Sequence, residues 1–169
     1  FVVTIAGKIV GAAYTQKISD LNQLSNTDYQ NISVLQNQNG NIVQLLGINV
    51  APELQDSGLG DQLLEFILWH VTVMGGIEKV VGRTRCKNYA THTHLSMEQY
   101  VQNHIETEGG IDPILRFHTS HGAEIKAVLP CYRSEDHDNQ GAGVLIEYQI
   151  PNRAKSLATE QVIQVRKSE

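Results

Sequence analysis

The chain has 169 residues, of which 41% are hydrophobic and 18% are charged, and this composition is that of one globular domain with a sizeable core. A net charge of −5 argues against a nucleic-acid-binding surface, and the lack of an apolar run of about 18 residues argues against a membrane span. The two cysteines, Cys86 and Cys131, form neither a metal-type pair nor a disulfide framework, so we expect a cytoplasmic protein.

Two strands open the predicted domain, which spans residues 1–150. Phe1 to Ile5 has the pattern of a strand from its first residue, and Ile9 to Ile18 follows after a turn. The polar segment from Ser19 to Gly40 predicts a loop with one short helix. Residues 151–169 are polar and predict a linker or a C-terminal extension. Both ends therefore suggest a piece of a longer, multidomain protein.

The next elements are a strand, a glycine-bearing turn and a helix. Ile42 to Val50 has the pattern of a strand, and Pro52 ends its pairing because proline has no N–H to donate. Asp61 to Met74 is strongly apolar and predicts a helix with Trp69 in the core. The turn between them reads Gln55-Asp56-Ser57-Gly58-Leu59-Gly60.

This turn predicts a binding site for a pyrophosphate. Glycine lets the backbone approach a ligand closely, and the first amides of the helix are unpaired and carry the positive end of its dipole. There is no Gly-x-Gly-x-x-Gly motif for a dinucleotide and no Gly-Lys-Ser/Thr motif for a nucleoside triphosphate. A tight turn that only caps a core helix would give the same six residues, so the prediction also depends on the flanking strand and helix.

A second helix and a strand are predicted after an irregular segment from Asn88 to Gly110. Asp112 can cap the first amides of this helix, Pro113 suits its first turn, and Gly122 suits a left-handed stop. Glu124 to Leu129 alternates as a strand.

His118 is the residue of this helix that is best suited to acid-base catalysis. Its imidazole, with a pKa near 6.5 in model peptides, can donate or accept a proton near neutral pH. One helical stripe holds Ile114, Phe117, His118 and His121, so packing is the alternative role. We favour a functional role for His118 and packing for His121.

Together these elements resemble the GNAT superfamily of acyl-coenzyme A N-acyltransferases. The turn matches its Gln/Arg-x-x-Gly-x-Gly/Ala signature, and the strand, helix, glycine, strand order from Asp112 to Leu129 matches its C-terminal half. The resemblance implies an α+β fold, with a mixed, mostly antiparallel sheet flanked by helices and with the opening elements upstream of Phe1. In the superfamily the residue four before the glycine is usually a tyrosine that reprotonates the coenzyme A thiolate. In this chain that position is His118.

Four further motifs narrow the resemblance. They are Gly82-Arg83-Thr84-Arg85-Cys86, His121-Gly122-Ala123-Glu124, Cys131-Tyr132-Arg133-Ser134-Glu135-Asp136 and Asn139-Gln140-Gly141-Ala142-Gly143. They are similar to the acetyltransferase-like domains of modular polyketide synthase loading modules. That family is described as decarboxylating malonyl-coenzyme A and delivering the acetyl group to a carrier-protein thiol. The resemblance implies that Thr84 and His118 are the catalytic pair and that Arg133 accompanies them.

The same resemblance implies the cofactor and the partners. The cofactor is coenzyme A, supplied as malonyl- or acetyl-coenzyme A, and no metal is expected. The partners are an acyl carrier protein, through its phosphopantetheine arm, and neighbouring domains of a polyketide synthase. Coenzyme A contacts are expected from the strand end and from the turn with the first helical residue: Ile48, Asn49, Val50, Gln55, Asp56, Ser57, Gly58, Leu59, Gly60 and Asp61.

Roles for the three catalytic candidates follow from the chemistry of decarboxylation. Thr84 can donate to the carboxylate or to the enolate, and His118 can hydrogen-bond the same group and supply the proton. Arg133 can pair with the substrate carboxylate, or it can form only a surface ion pair with Glu135 or Asp136. A conventional amine N-acetyltransferase, a decarboxylase without transfer and a non-catalytic docking module are the alternative functions.

Overall fold

The computed structural model describes residues 1–153, which form one mixed sheet with three α-helices and end in a helical segment at residues 150–153. The part of the predicted C-terminal extension from residue 154 onward lies outside the described residues. The strands and helices in chain order are β1 (Val2–Ile5), β2 (Lys8–Ile18), β3 (Ile42–Val50), α1 (Leu59–Met74), β4 (Lys79–Thr84), α2 (Met97–Glu106), α3 (Pro113–Ser120), β5 (Glu124–Leu129) and β6 (Gly143–Gln149).

The sheet has the order β1-β2-β3-β4-β6-β5, and β3 and β4 form its one parallel pair. Parallel neighbours need a crossover, and α1 supplies it between β3 and β4. The predicted α+β architecture, mostly antiparallel and flanked by helices, is confirmed.

The core lies on both faces of this sheet. On one face the helices cover β3, β4 and β6, and the inward stripe of α1 consists of Leu63, Leu64, Ile67, Leu68 and Val71. On the other face a smaller cluster contains Leu24, Val81, Tyr132 and Leu145. The prediction that Trp69 belongs to the core is wrong, because this side chain lies outside the inward stripe and is 48% exposed.

Two loops contain more regular structure than the sequence analysis predicted. The segment from Asn88 to Gly110 contains α2, which begins with a capping box between Ser96 and Gln99. The segment from Ser19 to Gly40 contains two short 3-10 helices, Leu21–Ser25 and Ile32–Leu35, in place of one helix. Helix α1 begins at Leu59, two residues earlier than predicted.

Candidate active site

The sheet opens between its two parallel strands, and a cavity of about 450 Å³ lies at this opening. Strands β3 and β4 pair from Ile42 and Lys79 to Leu45 and Gly82, and no pairing between them follows. At Leu46 the register of β2 and β3 also shifts, because Tyr14 pairs with Gly47 and Thr15 with Leu45. The cavity has the volume of a small-molecule site. Seven of the predicted site residues line it: Ile48, Val50, Gln55, Gly60, Thr84, His118 and Arg133.

The predicted pyrophosphate turn has the backbone geometry of an anion site. Gly58, at the N-cap of α1, has a φ of 79°, which favours glycine, and Asp56 has a φ of 65°. The first intrahelical bond that involves this cap runs from the Gln62 amide to the Gly58 carbonyl at 3.0 Å. Among the described residues, the amides of Leu59, Gly60 and Asp61 have no backbone acceptor, so they remain available to a ligand at the positive end of the helix dipole.

The other predicted coenzyme A contacts do not line the cavity. Ser57 Oγ donates to the Leu54 carbonyl at 2.6 Å, and the Asp61 carboxylate lies 3.4 Å from His121 Nε2. Four more of the predicted contacts are also absent from the cavity wall: Asn49, Asp56, Gly58 and Leu59. Their contacts with coenzyme A stay predictions.

Helix α3 presents His118 to the cavity, and Asp112 fixes where this helix begins. One carboxylate oxygen of Asp112 accepts from the amides of Ile114 and Leu115, at 2.9 and 3.1 Å. The other oxygen accepts from the Asn88 amide at 3.0 Å and from the Tyr100 hydroxyl at 3.1 Å. The predicted N-cap is therefore confirmed, and it also ties α3 to α2 and to the loop after β4.

The His118 imidazole is held by Tyr148 of β6. Its Nδ1 lies 2.8 Å from the Tyr148 hydroxyl, and this is the one hydrogen bond of either side chain among the described residues. Burial raises the pKa of Tyr148, so its hydroxyl stays protonated and needs an acceptor. The Nδ1 atom is that acceptor, and therefore the ring carries its proton on Nε2, which is left for a ligand in the cavity.

Burial, with a smaller contribution from the nearby His121, lowers the pKa of His118 to about 4. The side chain is 8% exposed, so most of its hydration is lost on folding. At neutral pH the ring is uncharged and acts as an N–H donor. This environment differs from the freely titrating imidazole that the sequence analysis assumed.

We expect the protein to lose stability at mildly acidic pH because of His118. The pKa of His118 is ordinarily 6.5 and is about 4 in the folded protein. Between these two pH values His118 is protonated in the unfolded chain and remains neutral in the folded chain. This site alone should lower the free energy of unfolding by about 2 kcal/mol between pH 7 and pH 5. Urea unfolding at both pH values, with His118→Gln as the matched variant, measures the effect. Equal pH dependence in the two proteins would contradict it.

Thr84 lies at the end of β4, where the sheet has opened. Within the described residues its Oγ1 makes one weak, exposed contact, 3.3 Å to the neighbouring Arg85 carbonyl, so the hydroxyl of this half-buried residue is free to turn toward a ligand. The loop after it is fixed by the Asn139 side chain, whose Oδ1 accepts from the Cys86 amide at 2.8 Å. Cys86 is buried, and burial raises the pKa of its thiol to about 12, which fits a packing role.

Arg133 forms the predicted surface ion pair with Glu135, and its pairing with a substrate carboxylate stays a prediction. Its Nε donates to Glu135 Oε1 at 3.1 Å, and the residue also lines the cavity. Asp136, the other candidate partner, instead accepts from both Nε and Nη2 of Arg85, the second at 2.7 Å. Within residues 1–153 the Arg133 side chain makes no other hydrogen bond, so its terminal nitrogens remain available to a ligand.

Two residues that matter for the site were missed by the sequence analysis as functional candidates: Arg83, which lines the cavity, and Tyr148, which lies behind it and contacts His118. Tyr148 could have been found, because it shares the inward face of β6 with Val144 and Ile146, and a buried phenol there needs a hydrogen-bond partner. Arg83 is 7% exposed and no pattern in the sequence predicts its burial.

Within residues 1–153, no group of three or more potential metal ligands is found. In the same part of the chain, no helix combines the length and the apolar character that crossing a membrane requires.

The sheet that opens at its one parallel pair, with a glycine-bearing turn beside the opening, defines a GNAT fold. The loading GNATL domain of CurA from Lyngbya majuscula is 42% identical, with a TM-score of 0.83 over 89% of this chain and 76% of that domain. The GphF GNAT-like decarboxylase, solved in complex with isobutyryl-CoA, is 38% identical, with a TM-score of 0.80 over 88% of this chain and 76% of its own.

Ard1 from Thermoplasma volcanium shares the fold alone, at 18% identity and a TM-score of 0.54 over 88% of this chain and 68% of its own. The chain matches no protein-family profile and no curated protein sequence. The chain belongs to the GNAT-like loading domains, the family that the sequence motifs indicated.

Proposed function

We propose that this domain decarboxylates malonyl-coenzyme A and transfers the resulting acetyl group to the phosphopantetheine thiol of an acyl carrier protein, and so primes a polyketide synthase. The observation that supports the proposal is the convergence of Thr84, His118 and Arg133 on one cavity that the glycine-bearing turn at Gln55 and Gly60 also lines. The two similar structures carry the names loading domain and decarboxylase, and one of them binds an acyl-CoA.

Coenzyme A fits the opening in the sheet. The amides of Leu59, Gly60 and Asp61 would bind its pyrophosphate, and the backbone from Ile48 to Val50 would pair with the pantetheine amides. These assignments follow from the free amides of α1 and from the strand edge that β4 leaves unpaired. The thioester would then lie where β3 and β4 diverge.

Loss of carbon dioxide requires charge stabilisation on the thioester oxygen. The bond between the carboxylate carbon and the α-carbon breaks, its electrons form the enolate, and the α-carbon then takes a proton. The Nε2–H of His118 and the hydroxyl of Thr84 would donate to the developing oxyanion. Negative charge beside His118 raises its pKa, so the ring would take up a solvent-derived proton on Nδ1, with the Tyr148 hydroxyl turning to accept from it, and would deliver the Nε2 proton to the carbon.

Arg133 would select acyl groups that end in a carboxylate. Its terminal nitrogens can form two parallel N–H bonds with that group, whereas an acetyl group offers them no acceptor. The contact should remain modest, because a stronger bond to the ground-state carboxylate slows its loss as carbon dioxide.

In the transfer step, the carrier thiolate attacks the acetyl thioester and the coenzyme A thiolate leaves. Among the described residues, His118 is the one cavity-lining base, and no Asp or Glu lines the cavity. This disfavours an amine N-acetyltransferase whose carboxylate base lies at the cavity wall, and such an enzyme would need a carboxylate that acts through water. This leaves a decarboxylase without transfer as the second candidate, since no separate base for the thiol is in place.

Product analysis by mass spectrometry tests the proposal. The protein is incubated with malonyl-coenzyme A, with and without a phosphopantetheinylated carrier protein. Acetyl-carrier supports decarboxylation with transfer, and acetyl-coenzyme A with an unloaded carrier supports the decarboxylase alone. Unchanged malonyl-coenzyme A would reject both decarboxylase functions and would favour the amine N-acetyltransferase.

A further inference from the structure

Two arginines and two tyrosines form a continuous stack along the wall of the cavity. The Arg83 guanidinium lies 4.7 Å from the centre of the Tyr132 ring. Tyr132 meets Tyr29 edge to face, with ring centres 5.8 Å apart, and Arg133 lies 4.5 Å above the centre of the Tyr29 ring. All four residues line the cavity, although Tyr29 comes from a distant loop. We call these four residues the guanidinium-tyrosine stack.

The Arg83 end of the stack is fixed. Its Nη1 donates to the carbonyls of Leu24, at 2.9 Å, and Thr27, and its Nη2 donates to the Asp28 carbonyl at 3.4 Å. Its Nε is buried without a hydrogen-bond partner, and none of the salt bridges within residues 1–153 involves Arg83. A buried cation held only by carbonyls gains from an aromatic face, so Arg83 fastens the Tyr29 loop and the Tyr132 ring together.

The two tyrosines are also joined through the backbone. The Tyr29 amide donates to the Tyr132 carbonyl at 3.0 Å, and the Arg133 amide donates to the Gly141 carbonyl at 3.0 Å. The loop that holds Tyr29 therefore cannot move away without breaking contacts with the residue that precedes Arg133.

At the other end, the Arg133 side chain is restrained from two directions. The Tyr29 ring covers one face of its guanidinium, and Glu135 accepts from Nε at 3.1 Å. The side chain is partly exposed, so without these contacts it would sample many rotamers. The restraints leave the terminal nitrogens as the free edge of the group, the edge that binds a carboxylate with two parallel bonds.

We propose that the guanidinium-tyrosine stack is a positioning device that holds Arg133 for the terminal carboxylate of the acyl group, with Tyr29 as its decisive member. The inference rests on the proposed function, because it takes Arg133 to be the carboxylate-binding residue. Tyr29 sets the preference for carboxylated over neutral acyl groups without touching the reacting atoms.

Calorimetric binding of malonyl-coenzyme A and acetyl-coenzyme A tests this assignment, with His118→Asn as the background that slows turnover. Tyr29→Leu removes the ring under Arg133, and Tyr29→Phe keeps it. We expect Tyr29→Leu to lower the preference for malonyl- over acetyl-coenzyme A by about three- to five-fold, and Tyr29→Phe to leave it unchanged. Acetyl-coenzyme A affinity should stay the same in both variants.

A double-mutant cycle with Arg133→Gln tests whether Tyr29 changes the ligand preference through Arg133. Once Arg133 is replaced, Tyr29→Leu should change the preference no further. Unchanged preference in Tyr29→Leu, or equal weakening of both ligands, would overturn the stack proposal alone. If Arg133→Gln by itself changes nothing, the carboxylate contact in the proposed function is wrong, and the stack proposal fails with it.

Discussion

His118→Asn should lower kcat for malonyl-coenzyme A decarboxylation by about 10³-fold, in the range that a positioned acid-base and oxyanion group supplies. The asparagine amide reaches about as far as Nδ1, so it can still accept from the Tyr148 hydroxyl, but it places no donor at the Nε2 position. The loss then reports the missing cavity donor and not a broken packing contact. Stopped reactions analysed by mass spectrometry measure the rate.

Tyr148→Phe is the matched control for this prediction. It leaves the imidazole in place and removes the 2.8 Å hydrogen bond that fixes the proton on Nε2. We expect a loss of about ten-fold, because only a part of the neutral ring then presents its N–H to the cavity. If His118→Asn retained activity near that of the unmodified protein, the assignment of His118 to the reaction would be wrong.

Thr84→Val should lower the same kcat by about 10²-fold, which is the usual cost of one missing oxyanion donor. Valine keeps the β-branched shape at the end of β4, so the strand should be preserved. Thr84→Ser keeps the hydroxyl and should stay within about five-fold of the unmodified rate, on the same reasoning about the donor. Equal losses in the two variants would assign Thr84 a packing role.

The sequence was a good guide where the chemistry is local. The strand before Pro52, the turn from Gln55 to Gly60 and the capped helix of His118 are each specified within a dozen residues by glycine, proline or a cap. The motifs around Thr84 and Arg133 added the catalytic candidates through family resemblance, and the structure brings all three to one cavity.

What the sequence did not predict depends on distant contacts. The partner of His118 is 30 residues away, and Arg83 contacts the loop from Leu24 to Asp28 that precedes it by more than 50 residues. The low pKa of His118 is a property of this burial and cannot be read from residue type. Helix α2 does not depend on distant contacts in this way. Its capping box, Ser96 and Gln99, is present in the sequence, so this helix could have been predicted.

The opening between β3 and β4 also links the stability of the domain to the binding of its ligand. Beyond Leu45 the edge of β3 that faces β4 has no neighbouring strand, so part of its backbone lacks the interstrand partners that the rest of the sheet has. An acyl-coenzyme A whose pantetheine arm bonded this edge would serve as the missing strand. Folding and occupancy are then thermodynamically linked, and the resistance of the domain to unfolding would rise with the logarithm of the thioester concentration in its surroundings.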